Sequence, residues 1–285
     1  MSAGLNPNLN PNLNQGLDQG LNPGRRKDRI PIRSPSSFRE VKVFFLCFSL
    51  ISLASFLILR LDSYRILSRL PRMVSAVGKL AVLDFRKIDL LGQAALESVS
   101  VTILSVFYSL APGILLGVMM ANNITRNKIL RGLCAGFCSL IRAVPTTVWV
   151  LIALACLGFG PGAGIVGMGF HTTVFLARAF QQSFENVPAD SLEALSAAGA
   201  NRVQIFCRAI LPSAFAGLVA WCAIRFESNF SESTVLGMVG AGGIGYTVMA
   251  CVNNYEYGRA GLAILVLLLL SYGFELMAAR LKTGV

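Results

Sequence analysis

Long uncharged runs divide this chain, and short charged stretches separate them. Residues 43–59 (VFFLCFSLISLASFLIL) lie uncharged between Lys42 and Arg60. Seventeen residues is the short end of a helical membrane span. Residues 98–121 give 24 more uncharged positions, and residues 143–177 give 35. One span needs about 20 residues, so the third run holds parts of two helices. GFGPGAGIVGMG at 158–169 marks the division, because Gly and Pro break helices. With their flanks these helices fall near 131–157 and 164–184, and Pro145 kinks the first. A fifth run, 213–236, is interrupted by Arg225, Glu227 and Glu232, and a last one, 260–279, carries only Glu275. The pattern predicts about six transmembrane helices: an all-α, polytopic membrane protein.

The stretches between the runs have their own character. Residues 1–24 repeat Asn, Pro and Gly and can form no core, so a disordered, basic tail is expected over 1–40. Residues 1–24 lack the basic region, directly followed by an apolar region and a small-residue cleavage site, that makes a secretory signal. The first membrane helix follows at 41–61. Residues 62–91 place Ile66, Leu67, Leu70, Met73, Val74 and Val77 at helical spacing among basic residues. That is the pattern of an amphipathic helix lying on a lipid surface, here external. Residues 92–280 form the main transmembrane domain. Within it, 185–212 is polar and reads as two short helices. Asp190 and Glu193 suggest one capping box, and Asn201 and Gln204 another. Gly199 bends the chain between the two helices, and Pro212 stops the second. Such a knob between two spans is a docking surface.

Composition narrows the class. The 285 residues are 54% hydrophobic and 14% charged, with mean hydropathy +0.64. Soluble domains carry about 25% charge, so a soluble enzyme is excluded. The net charge of +11 raises nucleic acid or anionic lipid as partners. Fourteen of the 25 basic residues, with five acids, fall in residues 1–87. The excess therefore sits on the tail and the surface helix, where it meets lipid head groups and holds the N-terminus inside. No basic stripe with interleaved aromatics points to nucleic acid. The seven cysteines form no CxxC pair, Cys134 and Cys138 lack further ligands, and His171 is the one histidine. No metal or cofactor is expected.

The knob carries a motif. Glu193-Ala194-Leu195, then Gly199-Ala200, then Leu211-Pro212 resemble the EAA loop of ABC-importer permeases. The one departure is Leu195 for the second Ala. The resemblance runs over about residues 92–280 and is nearest to permeases of phosphonate importers, with MMANNIT, IRAVPTTVW, FGPGAGIVGMGFHTT, ENVPADSLEALSAAGA and STVLGMVGAGGIG as they stand here. Several of these segments are shared with methionine permeases. The resemblance implies a type I importer fold in the bacterial inner membrane with both termini cytoplasmic. It also implies a permease homodimer, two separate ATP-binding cassette subunits and an extracytoplasmic substrate-binding protein. Glu193, Ala194, Leu195, Gly199, Ala200, Leu211 and Pro212 would couple to the ATPase. Phosphonate, phosphite, phosphate or another solute would be the cargo.

The interrupted run supplies the path candidates. Arg225 lies thirteen residues after Pro212, roughly 20 Å along a helix and deep in a ~30 Å hydrocarbon core. A charge there costs about 2.5–3.5 kcal/mol on insertion scales and must face protein or water. Arg225, Ser228, Asn229 and Glu232 share one helical face, with Glu227 on an adjacent one. Either this stripe lines the translocation path, or Arg225 pairs with Glu227, with Glu232 or across a subunit interface and only holds helices together. His171 opens a span near the outer surface, as a packing residue or as a hydrogen-bonding partner of a passing solute. Arg142 and Arg178 are expected to snorkel or to meet the ATPase side. Gly240, Gly242 and Gly245 match GxGxxG, but a dinucleotide loop needs a strand before it and a βαβ unit around it. Two other classes have different requirements. A secondary transporter would be favoured by inverted repeats, which are not evident. An intramembrane enzyme would need a nucleophile–base pair or clustered metal ligands.

Overall fold

A computed structural model describes residues 35–59 and 63–283. The predicted tail falls almost wholly outside these residues. All regular structure among the described residues is helical. The described residues divide into two compact units, with the division after Arg69. The first holds α1 (Pro35–Ile58), an apolar helix whose Arg39–Ile58 portion is long enough to cross a bilayer. Helix α2 (Ser63–Ala81) begins in the first unit and ends in the second, and it is the amphipathic helix the spacing predicts.

The second unit is built around α3 (Ile88–Met120) and α6 (Pro161–Glu185), the most extensively packed helix pair. The 33 residues of α3 span about 50 Å, longer than a ~30 Å membrane core, and its charged residues, Asp89 and Glu97, both lie in its first third. Its inner face runs Ser98, Thr102, Ser105, Ser109, Gly113, Gly117, at helical spacing and buried. Small residues let two backbones approach closely, which drives helix association in lipid. A Cβ at Gly113 would lie 3.1 Å from that of Leu176, and one at Gly117 would lie 3.1 Å from the Ala177 carbonyl oxygen.

Helices α4 (Lys128–Ala143) and α5 (Thr146–Leu157) correspond to the span expected at 131–157. Pro145 does more than kink it: the two pieces meet at 84°. Pro145 forces Val144 into extended backbone (φ −94°, ψ 124°), so the first helix must end. Helix α5 then packs against α6, where Gly167 would place a Cβ 2.5 Å from the Val150 Cα.

The docking knob comprises α7 (Ala189–Ala197) and α8 (Arg202–Ile205). A π-helical turn, Phe206–Ile210, leads without a break into α9 (Leu211–Leu236). Pro212 therefore does not stop the helix. Its ring and missing N–H forbid a regular turn before it, and the wider turn at 206–210 absorbs the mismatch. Phe226 and Phe230 of α9 both pack edge-on against Phe274, each 4.9 Å between centroids.

After α9 a kinked segment, Gly237–Ala241, with Gly240 at φ +115°, leads the chain into α10 (Gly243–Asn253), a helix the hydropathy pattern does not separate. Helix α11 (Tyr257–Thr283) completes the fold. Among the described residues five helices are long and apolar enough to cross a membrane, or six when α4–α5 counts as one span.

Candidate coupling surface and intramembrane polar cluster

Helix α7 has no buried residue, and Glu193, Ala194 and Gly199 are exposed. Leu195 and Ala200 are half-buried. The expected cap on Asp190 does not form. Pro188 takes the N-cap position with its fixed φ of −55°, and Asp190 falls inside the first turn, where its charge favours the helix dipole instead. The second capping box is present. Asn201 Oδ1 accepts from the Gln204 amide at 2.9 Å, and Gln204 Oε1 accepts from the Asn201 amide at 2.8 Å.

Gly199 ends α7 with φ +84°. Its N–H donates to the Ser196 carbonyl at 3.0 Å, and the Ala200 N–H donates to the Leu195 carbonyl at 3.1 Å. These are the paired bonds of a Schellman cap, whose left-handed residue is glycine because other side chains strain there. Nothing surrounds a Cβ at Gly199, so only the dihedral penalises a substitution. Gly199→Ala is expected to loosen this cap by about 1–2 kcal/mol. Faster amide exchange at Ala200, with the transmembrane helices unchanged, is the measurement that checks it.

The knob is anchored from below. Leu192, Ile205 and Phe206 pack on the core cluster of Phe184, Val187, Ile210 and Ala214. Leu211 also packs on that cluster, while Pro212 is exposed. The α3–α4 loop is tied to the same end of α6: the Asn122 amide donates to Glu185 Oε1 at 2.7 Å, and Asn123 Nδ2 donates to the Phe184 carbonyl at 2.7 Å. Knob and loop enclose a cleft lined by Asn123, Arg126, Glu193, Ala200 and Arg202 among others.

Inside the bundle, α9 brings part of its polar stripe to α3 and α6. Arg225, 4% exposed, donates from Nη1 and Nη2 to Glu232 Oε1 and Oε2 at 3.2 and 3.3 Å. Its Nε donates to Thr172 Oγ1 at 3.3 Å, and its guanidinium lies 5.3 Å from the Phe175 ring centre. Asn229 Nδ2 donates to Thr172 Oγ1 and to Ser105 Oγ, both at 2.9 Å. Ser109 Oγ donates to the Ser105 and Gly169 carbonyls. The cluster thus joins Arg225, Asn229 and Glu232 but leaves Ser228 bonded to its own helix at the Ile224 carbonyl and Glu227 half-buried.

His171 does not open a span. It lies ten residues into α6, half-buried, with Nδ1 covered and unbonded. Gly160 and Pro161 start the helix slightly earlier than the expected 164, because Pro is well suited to a first helical position. Arg142 is exposed, but Arg178 turns inward and donates to the Ala135 carbonyl at 2.9 Å and Ser139 Oγ at 3.1 Å.

The Gly-rich segment 237–246 joins two helices, so the strand a dinucleotide loop requires is not there. Side chains close on it from three sides. Phe159 covers Gly240, the Glu97 carboxylate lies against Gly242, and Ser98 Oγ accepts from the Ile244 amide at 2.9 Å. Glu97, Ser98, Ser105 and Thr172 were missed as site residues. Ser98, Thr102, Ser105 and Ser109 do carry a signal, hydroxyls at helical spacing within one uncharged run. Glu97 bounds that run and has no periodic partner to mark it.

This architecture, a polytopic bundle with an exposed two-helix knob between spans, is that of a transporter's membrane subunit. The chain matches the family described as binding-protein-dependent transport system inner membrane component over residues 113–285, and it belongs to that family. It is a permease and a multi-pass inner-membrane protein. The phosphite transport system permease protein PtxC of Stutzerimonas stutzeri is 26% identical over 231 residues, covering 81% of this chain and 84% of that one. The putative phosphite transport system permease protein HtxC of the same organism is 29% identical, covering 75% and 76%. An inward-facing structure of the MetNI methionine ABC transporter superposes with TM-score 0.61 at 23% identity, over 71% of this chain and 99% of that one. That likeness speaks for the fold.

Proposed function

We infer that this permease carries a phosphorus oxyanion of the phosphite or phosphonate class inward. Alternating access is driven by separate ATP-binding subunits that dock on residues 185–212. The observation that carries the substrate class is the likeness to phosphite permeases over most of both chains. The exposed knob with its Glu193–Pro212 spacing supports the docking assignment. Two copies of the chain form the pore, because one bundle has too few helices to enclose a path. A binding protein outside delivers the solute. Both termini face the cytoplasm, and the basic residues of α2 rest on the outer lipid surface.

The test is uptake by cells carrying the permease with its ATPase and binding protein. Labelled phosphite, methylphosphonate and phosphate are compared, with an ATPase-deleted strain as reference. Uptake of at least one of the three that disappears on ATPase deletion is the expected result. Uptake that survives the deletion overturns the ATP-driven assignment, and uptake of none overturns the substrate class. Intersubunit crosslinking between differently tagged copies in the purified complex checks the homodimer.

A further inference from the structure

We propose that Glu232 is a built-in stand-in for the substrate: its carboxylate occupies the Nη edge of Arg225 that receives the oxyanion during transport. The inference rests on the substrate class given above and assigns the residue pair that reads it.

The guanidinium of Arg225 is fixed on every side but one. Its Nε is held by Thr172, and its flank lies beside Phe175. Thr172 is itself held by Asn229, which Ser105 anchors to α3. These partners are buried: Thr172, Asn229 and Ser105 are at 0% exposure. The remaining edge, Nη1 and Nη2, is met by Glu232 in a two-point contact. The two ends of that contact differ sharply. The Arg225 side chain is 5% exposed, whereas that of Glu232 is 32% exposed. The carboxylate thus stands between a packed cation and the exposed surface of the single chain.

A guanidinium fork presents two parallel N–H groups that fit a carboxylate and a phosphorus oxyanion equally well. Exchange of one for the other leaves the buried cation paired throughout, and the charge released is that of the displaced Glu232 carboxylate, which lies on the more exposed side of the pair. Glu232 is the mobile member, because removing its half-exposed carboxylate breaks no other bond described for it. A purely structural ion pair has no need of this asymmetry, nor of a polar chain through three helices to aim the fork.

The test is a charge swap, Arg225→Glu with Glu232→Arg, in the complete complex reconstituted with ATPase and binding protein. The swap keeps an ion pair between the same positions but removes the anchored fork. Assembled complex with uptake reduced about a hundredfold or more is expected, as for loss of a desolvated charge contact. Assembled complex with uptake near wild type overturns the proposal and leaves the pair a structural element. If the swapped chain does not assemble, Arg225→Lys decides. It keeps the charge and the pairing to Glu232 but lacks the fork, and wild-type uptake by that variant overturns the proposal, whereas a drop of tenfold or more supports it. Wild-type vesicles are assayed in parallel with phosphite, methylphosphonate and phosphate. Uptake of none of these removes the substrate class and this inference together, whereas normal uptake by the swapped chain removes this inference alone.

Discussion

A Gly245→Val chain is expected to yield almost no folded permease in detergent. Helix α10 folds back on the end of α9, and Gly245 is where the two backbones touch. A Cβ at this position would fall on the Thr234 carbonyl group, 2.8 Å from its carbon, and 3.2 Å from the Met238 nitrogen. Both are backbone atoms, so no rotamer change relieves the overlap. Separating α9 from α10 would also loosen the cluster of Ile244 and Val248 with Leu91, Ala95, Leu262 and Ala263. Overpacking into a fixed backbone costs about 1–3 kcal/mol for ordinary cores and more where nothing can move. The expected loss here is above about 3 kcal/mol, a large share of the roughly 5–15 kcal/mol that holds a domain folded. Gly132→Val is the matched control, since nothing lies within 4 Å of a Cβ there. The measurement is the recovered monodisperse fraction and its thermal midpoint. Equal recovery of the two variants sinks the close approach of α9 and α10.

The contrast between these glycines shows which features the chain displays locally. Gly132 and Gly245 look alike in sequence, because the difference between them lies in a partner far along the chain. Membrane spans were legible because transfer into lipid depends on runs of apolar residues, and those runs are contiguous. The Asn201–Gln204 capping box and the Gly199 cap were legible for a similar reason: their bonds close within a few residues. Asp190 misled because Pro188, two residues earlier, offered a competing start, and φ fixed by a ring needs no side-chain cap. Pro212 misled in the opposite sense, since helix rupture was avoided by a wider turn that no composition signals. The break at Pro145 was placed correctly, but its 84° angle depends on how α5 seats on α6. Within the polar stripe, periodicity put Arg225, Asn229 and Glu232 on one face. It could not rank Glu227 against Glu232 as the partner of Arg225, nor find Thr172 and Ser105, which arrive from other helices. Helix α10 went unseen because its glycines resemble a loop until packing supplies their partners.

Glu193→Lys is expected to abolish uptake while leaving the permease folded. The side chain is exposed on a helix with no buried residue, and no ion pair or hydrogen bond is described for it. Substitutions of that kind change stability by less than about 0.5 kcal/mol, so protein yield and thermal midpoint should match the wild type. Transmission is another matter. The knob is anchored to the core through Leu192, Ile205 and Phe206, and the π-helical turn passes straight into α9, which carries Arg225 and Glu232. A push on α7 therefore passes across the Gly199 cap and the Leu192 contact to α8, and from there through continuous helix to the polar cluster. On the docking proposed above, reversing this charge removes the contacts the carboxylate makes and repels any cation seated opposite it, at a cost of several kcal/mol, enough to lower occupancy of the coupled state by about a hundredfold or more. Uptake should fall accordingly, and pull-down of the ATPase by the purified permease should weaken with it. Gly199→Ala separates shape from charge, because it relaxes the cap and keeps the carboxylate, so a smaller loss is expected there. Wild-type uptake by Glu193→Lys, with normal ATPase retention, would remove the coupling role from α7 and turn attention to Arg126 and Arg202 on the adjoining cleft.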